Sequence, residues 1–269
     1  ETKDLVAMSV DQLNFFNTTQ ITSLTSGQIS ALTTKQMAGL DVDLFVALTT
    51  DQIPSLTTQQ AANLTTRQVA AITTDQLAVL ETKDLAAFTS SQIQALSPDQ
   101  VESLSTKQIE GMQRGQFNSM TTEQLAALSA TQIEAIETFD IGGFTTAQID
   151  SLSTDQVAAL STEQLNAMRA SQIGVMTTSQ INALTNAQLA GMRDSQVAAF
   201  NSQRMGSVSN SVLQHMTVGQ IQSLTTSQII SLIDTQLAAL GTSQIASMKA
   251  TQIKAIETRD LAAMTTSQM

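Results

Sequence analysis

An eight-residue period runs through the whole chain without one insertion or deletion, and this regularity constrains the fold more than any other feature. Every eighth residue from Met8 to Met264 is apolar and defines position 1, and position 6 is apolar in all thirty-three copies, from Leu13 to Met269. The consensus octad is L-T-T-x-Q-I-x-A. Because ordinary loops tolerate changes of length, a fixed octad indicates that each residue occupies a constrained place in the structure.

The polar positions of the octad carry the signature of a helix start. Position 2 is Ser, Thr, Asn or Asp in twenty-four copies, and position 5 is Gln in twenty-seven. A Ser or Thr followed three residues later by Gln is a capping box, in which each side chain binds the other residue's backbone N–H. The pairs that fit include Thr49 with Gln52, Thr65 with Gln68 and Ser153 with Gln156. The six exceptions at position 5 are Leu44, Asp84, Asp140, Arg204, Val212 and Asp260.

The two prolines test this register. Pro98 falls at position 3, the first helical residue, where a proline loses no hydrogen bond. Pro54 falls at position 7, where it removes a late helical bond, so we expect that turn to be short or distorted.

A single long helix does not fit the period. At about 100° per residue, eight residues overshoot two turns by about 80°, so an apolar stripe would circle the helix. The sequence therefore predicts an all-α solenoid with one very short capped helix per octad. A β-solenoid stays open as the alternative, although Ala, Gln, Leu and Met favour helix.

A lone octad buries too little apolar surface to offset the entropy of ordering eight residues, so the octads must stack. We expect positions 1 and 6 to form the core, position 8 to allow close approach, and positions 4 and 7 to face solvent. The prediction for domains is one continuous solenoid over residues 1–269, about 33 repeats long. Because the pattern starts and stops within an octad, we expect this chain to be a window of a longer array.

A weaker period of seven octads lies above the octad. The stretch from Leu80 reads LETKDLAA-FTSSQIQA-LSPDQVES, and fifty-six residues later the stretch from Ile136 reads IETFDIGG-FTTAQIDS-LSTDQVAA. We infer that a block of seven octads was duplicated.

Composition leaves little chemistry for an active site. The chain has no Cys, Trp or Tyr and one His, His215, and its formal net charge is −11. Acid–base and metal catalysis depend on His, Cys and paired carboxylates, and an acidic surface disfavours nucleic acid and anionic membranes. The sequence therefore predicts no enzyme, no catalytic, metal or cofactor-binding residue, no cofactor, no nucleic-acid partner and no membrane insertion.

Three octads place two carboxylates three residues apart, at Glu81 with Asp84, Glu137 with Asp140 and Glu257 with Asp260. We interpret them as variant capping boxes that also suit the helix dipole, with a calcium site as the alternative. His215, at position 8, is interpreted as a tolerated substitution.

In three other octads, position 2 carries a basic residue in place of the capping Ser or Thr, at Arg169, Arg193 and Lys249. These side chains are expected to pair with acidic neighbours in the next turn or to mark a lateral contact.

The octads LTTDQIPS, LTTRQVAA, LSTDQVAA and MTTEQLAA resemble the LTTxQ octapeptide arrays of very large secreted bacterial surface proteins, the adhesin-like and RTX-associated kind. The resemblance covers the whole chain and implies an extracellular or cell-surface structural protein that forms a filament, stalk or coat and associates with itself end to end or laterally. The alternatives are an adhesin-type module that binds glycan, protein or ice at the cell surface, and a passive spacer.

Overall fold

The structure, a computed structural model, describes residues 1–268, and Met269, the last apolar residue of the octad pattern, lies outside them. Contacts divide the chain into a first unit, Glu1–Ile136, and a second unit, Glu137–Met269. All regular elements of the described residues are helical, with no strand. The prediction of an all-α solenoid of short helices is therefore confirmed, and the β-solenoid alternative is wrong. One unbroken solenoid over the whole chain stays a prediction.

The first unit contains sixteen α-helices and one 3-10 turn, η1. They are α1 Thr2–Ala7, α2 Val10–Asn14, α3 Thr18–Thr22, α4 Ser26–Ala31, α5 Thr34–Gly39, α6 Val42–Val46, η1 Ile53–Ser55, α7 Thr58–Ala62, α8 Thr66–Ala71, α9 Thr74–Val79, α10 Thr82–Leu85, α11 Ser90–Ala95, α12 Pro98–Glu102, α13 Thr106–Gly111, α14 Arg114–Ser119, α15 Thr122–Ala126 and α16 Ala130–Ala135.

The described part of the second unit contains another sixteen α-helices. They are α17 Thr138–Ile141, α18 Thr146–Ser151, α19 Thr154–Ala159, α20 Thr162–Ala167, α21 Ala170–Ile173, α22 Thr178–Ala183, α23 Asn186–Gly191, α24 Asp194–Val197, α25 Ser202–Met205, α26 Asn210–His215, α27 Val218–Ser223, α28 Thr226–Ile230, α29 Asp234–Ala239, α30 Thr242–Ser247, α31 Ala250–Ile253 and α32 Thr258–Leu261.

Capping boxes start most of these helices, as the sequence predicts. At the start of α8, the Thr65 N–H donates to Gln68 Oε1 at 2.9 Å and the Gln68 N–H donates to Thr65 Oγ1 at 3.2 Å. The pair Ser153 and Gln156 forms the same box. Position 1 then takes an extended backbone, as at Leu160 with φ −60° and ψ 135°. This extended residue ends one helix and turns the chain toward the next.

Both proline predictions are confirmed. Pro98 is the first residue of α12, where Ser97 completes a capping box with Gln100. Pro54 lies inside η1, and its octad forms a single 3-10 turn of three residues instead of an α-helix. The missing proline N–H removes the bond that would have continued an α-helix.

Within each unit, contacts between successive turns join residues 25 to 31 positions apart. Examples span 25, 28 and 31 residues in the first unit and the same three separations in the second. The middle of this range, 28 residues, is three and a half octads, so one turn takes about that many. Seven octads then make two turns, which gives the fifty-six-residue period of the sequence a geometric meaning.

The core of each unit contains most side chains of positions 1 and 6, as predicted. Leu77 at position 6 is fully buried and Leu160 at position 1 is 3% exposed, whereas Ile253 at position 6 is 39% exposed. Position 4 is exposed throughout the described residues except at Gly219. The prediction that position 7 faces solvent is only partly correct, because many of its residues are half-buried, among them Asn14 and Asn166. They lie where the next turn approaches within hydrogen-bonding distance.

Of the helices described, none combines the length and the apolar character needed to cross a membrane.

Candidate functional site

The position-5 glutamines form a buried ladder that joins one turn to the turn before it. Gln60 is 1% exposed. Its Oε1 accepts from the Thr57 N–H at 2.7 Å, and its Nε2 donates to the carbonyls of Ile29 and Leu32 at 2.9 and 2.7 Å. One side chain thus caps its own helix and satisfies backbone carbonyls 31 and 28 residues earlier.

The same contacts recur in both units. In the first unit the glutamines whose Nε2 donates to the preceding turn are Gln36, Gln52, Gln60, Gln68, Gln76, Gln92, Gln100, Gln108, Gln116, Gln124 and Gln132. In the second unit they include Gln172, Gln180, Gln188, Gln196, Gln220, Gln228, Gln236, Gln244, Gln252 and Gln268.

The ladder explains why position 5 is Gln and not Glu. A capping box accepts either residue, but only the amide also carries N–H donors, whereas a carboxylate only accepts. A glutamate here would place a buried negative charge against two carbonyl oxygens. Because buried polar groups must be paired, the inter-turn contact selects the amide.

Arg204 shows that the ladder needs a donor rather than an amide as such. It replaces Gln at position 5 of its octad, and its Nη1 donates to the carbonyls of Val175 and Met176, 29 and 28 residues earlier. The guanidinium therefore makes the inter-turn contact, although its helix, α25, lacks a capping box.

Leu44 cannot supply either half of the contact, and an asparagine from the preceding turn replaces one half. The Asp41 N–H, which a position-5 Gln would otherwise cap, donates to Asn14 Oδ1 at 3.0 Å. Asn14 also donates to the carbonyl of Gly39 at 3.0 Å. A position-7 residue 27 positions earlier thus takes over the cap.

Val212 repeats this arrangement in the second unit. The Ser209 N–H donates to Asn182 Oδ1 at 2.8 Å, again 27 residues earlier. A similar asparagine, Asn166, donates to the carbonyl of Gly191, but its Oδ1 is buried without a partner. The backbone N–H that it would serve, that of Arg193, is already bound by Gln196.

The variant capping boxes predicted for the Glu/Asp octads are wrong. Glu81, Glu137 and Glu257 make no side-chain cap to their helices. Glu81 forms an ion pair with Lys83, and Glu257 pairs with Arg259 at 3.6 Å. Glutamate at position 2 is longer than the Ser or Thr that caps the other helices, and at Glu81 and Glu257 a cation two residues later binds the carboxylate instead.

The aspartates of these octads are buried where the ladder glutamines lie. Asp84 is fully buried, and the Thr58 hydroxyl donates to its Oδ1 at 2.6 Å, whereas its Oδ2 has no hydrogen-bond partner. Burial raises the pKa of the Asp84 carboxyl, while the Thr58 hydrogen bond and the charge of Lys83 oppose this rise. Asp260, also buried, accepts from Arg259 Nε at 3.2 Å. No group of three or more His, Cys, Asp or Glu that could hold a metal ion occurs among residues 1–268.

The basic residues at position 2 do not find acidic partners. Arg193 donates instead to the carbonyl of Met168 at 3.2 Å, 25 residues earlier, and within the described chain Arg169, Arg193 and Lys249 form no ion pair. His215 is exposed, and its Nδ1 lies 2.7 Å from the carbonyl of Ser211. The lateral-contact interpretation of the three bases stays a prediction.

Shallow grooves recur between turns of the first unit. Three of them lie between one octad and the octad that follows three repeats later. Their lining residues fall within residues 6–11 and 33–36, 38–42 and 65–67, and 78–83 and 105–108. Each is open and contains one or more Lys or Arg and at least one carboxylate. These grooves follow from the repeat geometry.

Comparison with known families supports the repeat. The sequence model of the ALTTAQ repeat family matches residues 1–34, 77–114, 133–170 and 158–186, so these stretches are similar to that family. No curated protein matches the chain. The predicted octapeptide array is confirmed as a repeat array, whereas the context of a large secreted surface protein stays a prediction.

Sequence reasoning identified the cap but missed the ladder. No site residue was predicted, and position 5 was assigned only a local role. The available signal was the choice of Gln over Glu in twenty-seven octads, since a capping box alone does not require the amide.

Proposed function

We propose that this chain is a non-enzymatic structural protein of the cell surface, which provides length and stiffness as a filament, stalk or coat. The observation that carries the proposal is the glutamine ladder, because it joins each turn to the preceding one by the same buried hydrogen bonds within each unit. A solenoid of this kind extends by adding turns, since each repeat contacts only its neighbours. Each added turn contributes roughly 8–10 Å, the usual distance between packed helices.

A binding module is less well supported by the exposed surface. A binding face would repeat one residue type along several turns, but the exposed position 4 carries Lys35, Asp75, Gly115 and Thr131 among others. A clear signal on a glycan array or in an ice-recrystallisation assay would reverse this preference.

The same ladder supports our proposal that copies of the chain associate with each other. The amide nitrogens of Gln12, Gln20 and Gln28 have no acceptor within residues 1–268, although the Oε1 of each caps its own helix. A further turn of the same kind, from this polypeptide or from a second copy, would offer carbonyl acceptors to these three donors. End-to-end contact is therefore the form of association that we propose.

The test compares the chain with a triple variant, Gln12→Glu, Gln20→Glu and Gln28→Glu. The introduced carboxylates still accept from the N-cap N–H groups but cannot donate, so the fold is kept and the end contact is lost. A matched control places the same charges at three exposed positions, Gln59→Glu, Gln94→Glu and Gln214→Glu. Light scattering over a concentration series and electron microscopy measure assembly.

We expect concentration-dependent end-to-end assemblies for the wild type and the control, and monomers for the triple variant. A wild type that stays monomeric and forms no fibres would contradict self-assembly and leave a spacer. Antibody labelling of intact cells tests the location, since labelling that requires permeabilisation would contradict a surface protein.

A further inference from the structure

Asp84 occupies a place in the first unit where a carboxylate is unfavourable. The neighbouring ladder residues, Gln76 and Gln92, each donate to carbonyls 28 residues earlier, those of Leu48 and Leu64. The same register places the carbonyl of Leu56 opposite residue 84. A charged carboxylate there would face a carbonyl oxygen without a proton between them.

The contacts of Asp84 leave one oxygen available for that proton. Oδ1 accepts from the Thr58 hydroxyl at 2.6 Å, and Oδ2 is buried without a partner. A buried polar atom without a partner carries a cost that a hydrogen bond removes. Protonation of Oδ2 would turn it into a donor, as the Gln amide nitrogen is elsewhere in the ladder.

The charges around Asp84 do not supply a counter-ion. Helix α10 packs on α7 and α13. Helix α7, with the sequence TQQAA, carries no charged residue, and α13 carries Lys107 and Glu110. On α10 itself Lys83 forms an ion pair with Glu81, so the nearest cation already has a carboxylate partner. Asp260, in contrast, is bound directly by Arg259.

We propose that Asp84 is held as a neutral carboxylic acid whose Oδ2–H donates to the carbonyl of Leu56, and that this bond is a pH-sensitive latch between two turns of the first unit. When the carboxyl loses its proton, the donor disappears and a buried charge faces the carbonyl. The contact between α10 and the segment from η1 to α7 then loosens. The latch operates whether the chain is a filament, a stalk or a spacer.

The direction of the pH effect follows from linkage. Burial raises the pKa of Asp84 above its ordinary value, so the folded unit holds the proton more tightly than the opened segment does. The latch is fully formed below the ordinary aspartate pKa and is lost as pH rises through the raised pKa. Between these two values the opening equilibrium grows up to tenfold per pH unit.

Hydrogen exchange of the full chain measures the latch. Protection factors for residues 53–64, corrected for intrinsic exchange, are followed from about pH 4 to about pH 8. We expect a fall with rising pH in the wild type and a constant value in Asp84→Asn, whose amide always donates. Asp75→Asn, at the exposed position 4 of the preceding octad, is the control and should follow the wild type.

Wild-type protein alone provides a second readout, because the carboxyl carbon shift of Asp84 in NMR reports its protonation state. A titration above the range of exposed aspartates supports the latch. An Asp84 that ionises with the exposed aspartates, or equal pH profiles for the wild type and Asp84→Asn, would overturn it. If Asp84→Asn does not fold, Asp84→Gln, which restores the consensus residue, takes its place in the comparison.

Discussion

The side-chain amide of Gln60 donates to the carbonyl of Leu32 at 2.7 Å, across one full turn of the first unit. Its other end accepts from the N–H of Thr57, which starts the helix that contains Gln60. Helix capping and inter-turn attachment are therefore carried by one residue. This double role couples the start of the helix to its attachment to the preceding turn.

Replacement of Gln60 by Glu should destabilise the first unit by more than about 2 kcal/mol, because it removes a donor and buries a charge against two carbonyls. The loss should shrink as pH falls, since a protonated carboxyl donates again. Urea denaturation followed by circular dichroism measures both effects. Gln59→Glu, next in sequence but exposed, should change the midpoint little; equal losses in the two variants would contradict the ladder.

Asn182 and Val212 should be energetically coupled. Asn182→Ala removes the acceptor of the Ser209 N–H and should cost about 0.5–1.5 kcal/mol. Val212→Gln supplies an acceptor from position 5 instead, so in that background the asparagine substitution should cost much less. A double-mutant cycle on thermal stability measures the coupling, and strictly additive effects would show that the asparagine does not replace the missing Gln.

Gly111 should not tolerate a methyl group. A Cβ at this residue would lie 2.1 Å from Cγ2 of Thr82 in the preceding turn, so Gly111→Ala should destabilise by about 1–3 kcal/mol. The added change Thr82→Ser removes the clashing methyl and should restore much of the loss. Gly115→Ala is the control, since nothing lies within 4 Å of its Cβ, and helix propensity predicts a gain of up to about 1 kcal/mol.

Ile233 leaves helix α29 without a side-chain cap. Ile233→Thr should supply the acceptor for the Gln236 N–H and raise stability by about 0.5–2 kcal/mol. Ile230→Thr makes the same chemical change at position 7, where the side chain is also exposed but no cap can form. A higher melting temperature for the first variant alone checks the prediction, and the same shift in both would assign the gain to lost surface hydrophobicity.

The sequence by itself determined the helix starts, the helix length and the apolar core. Thr65 with Gln68 and Pro98 at the first helical residue are local relationships within one octad, and local relationships are visible in the residue order. The distorted turn at Pro54 follows in the same way, because the missing N–H is a property of proline itself.

Only the tertiary structure decided what lies 25 to 31 residues away. Three contacts depend on the number of octads per turn. They are the hydrogen bond from Gln60 to the carbonyl of Leu32, the cap that Asn14 supplies where Leu44 cannot, and the buried unpaired oxygen of Asp84. That number is set by how the corners pack, and no single octad encodes it. The burial of Asp84 likewise arises only when the turns are stacked. The ion pair that replaces the predicted cap of Glu81 is in contrast a local contact, because Lys83 follows two residues later.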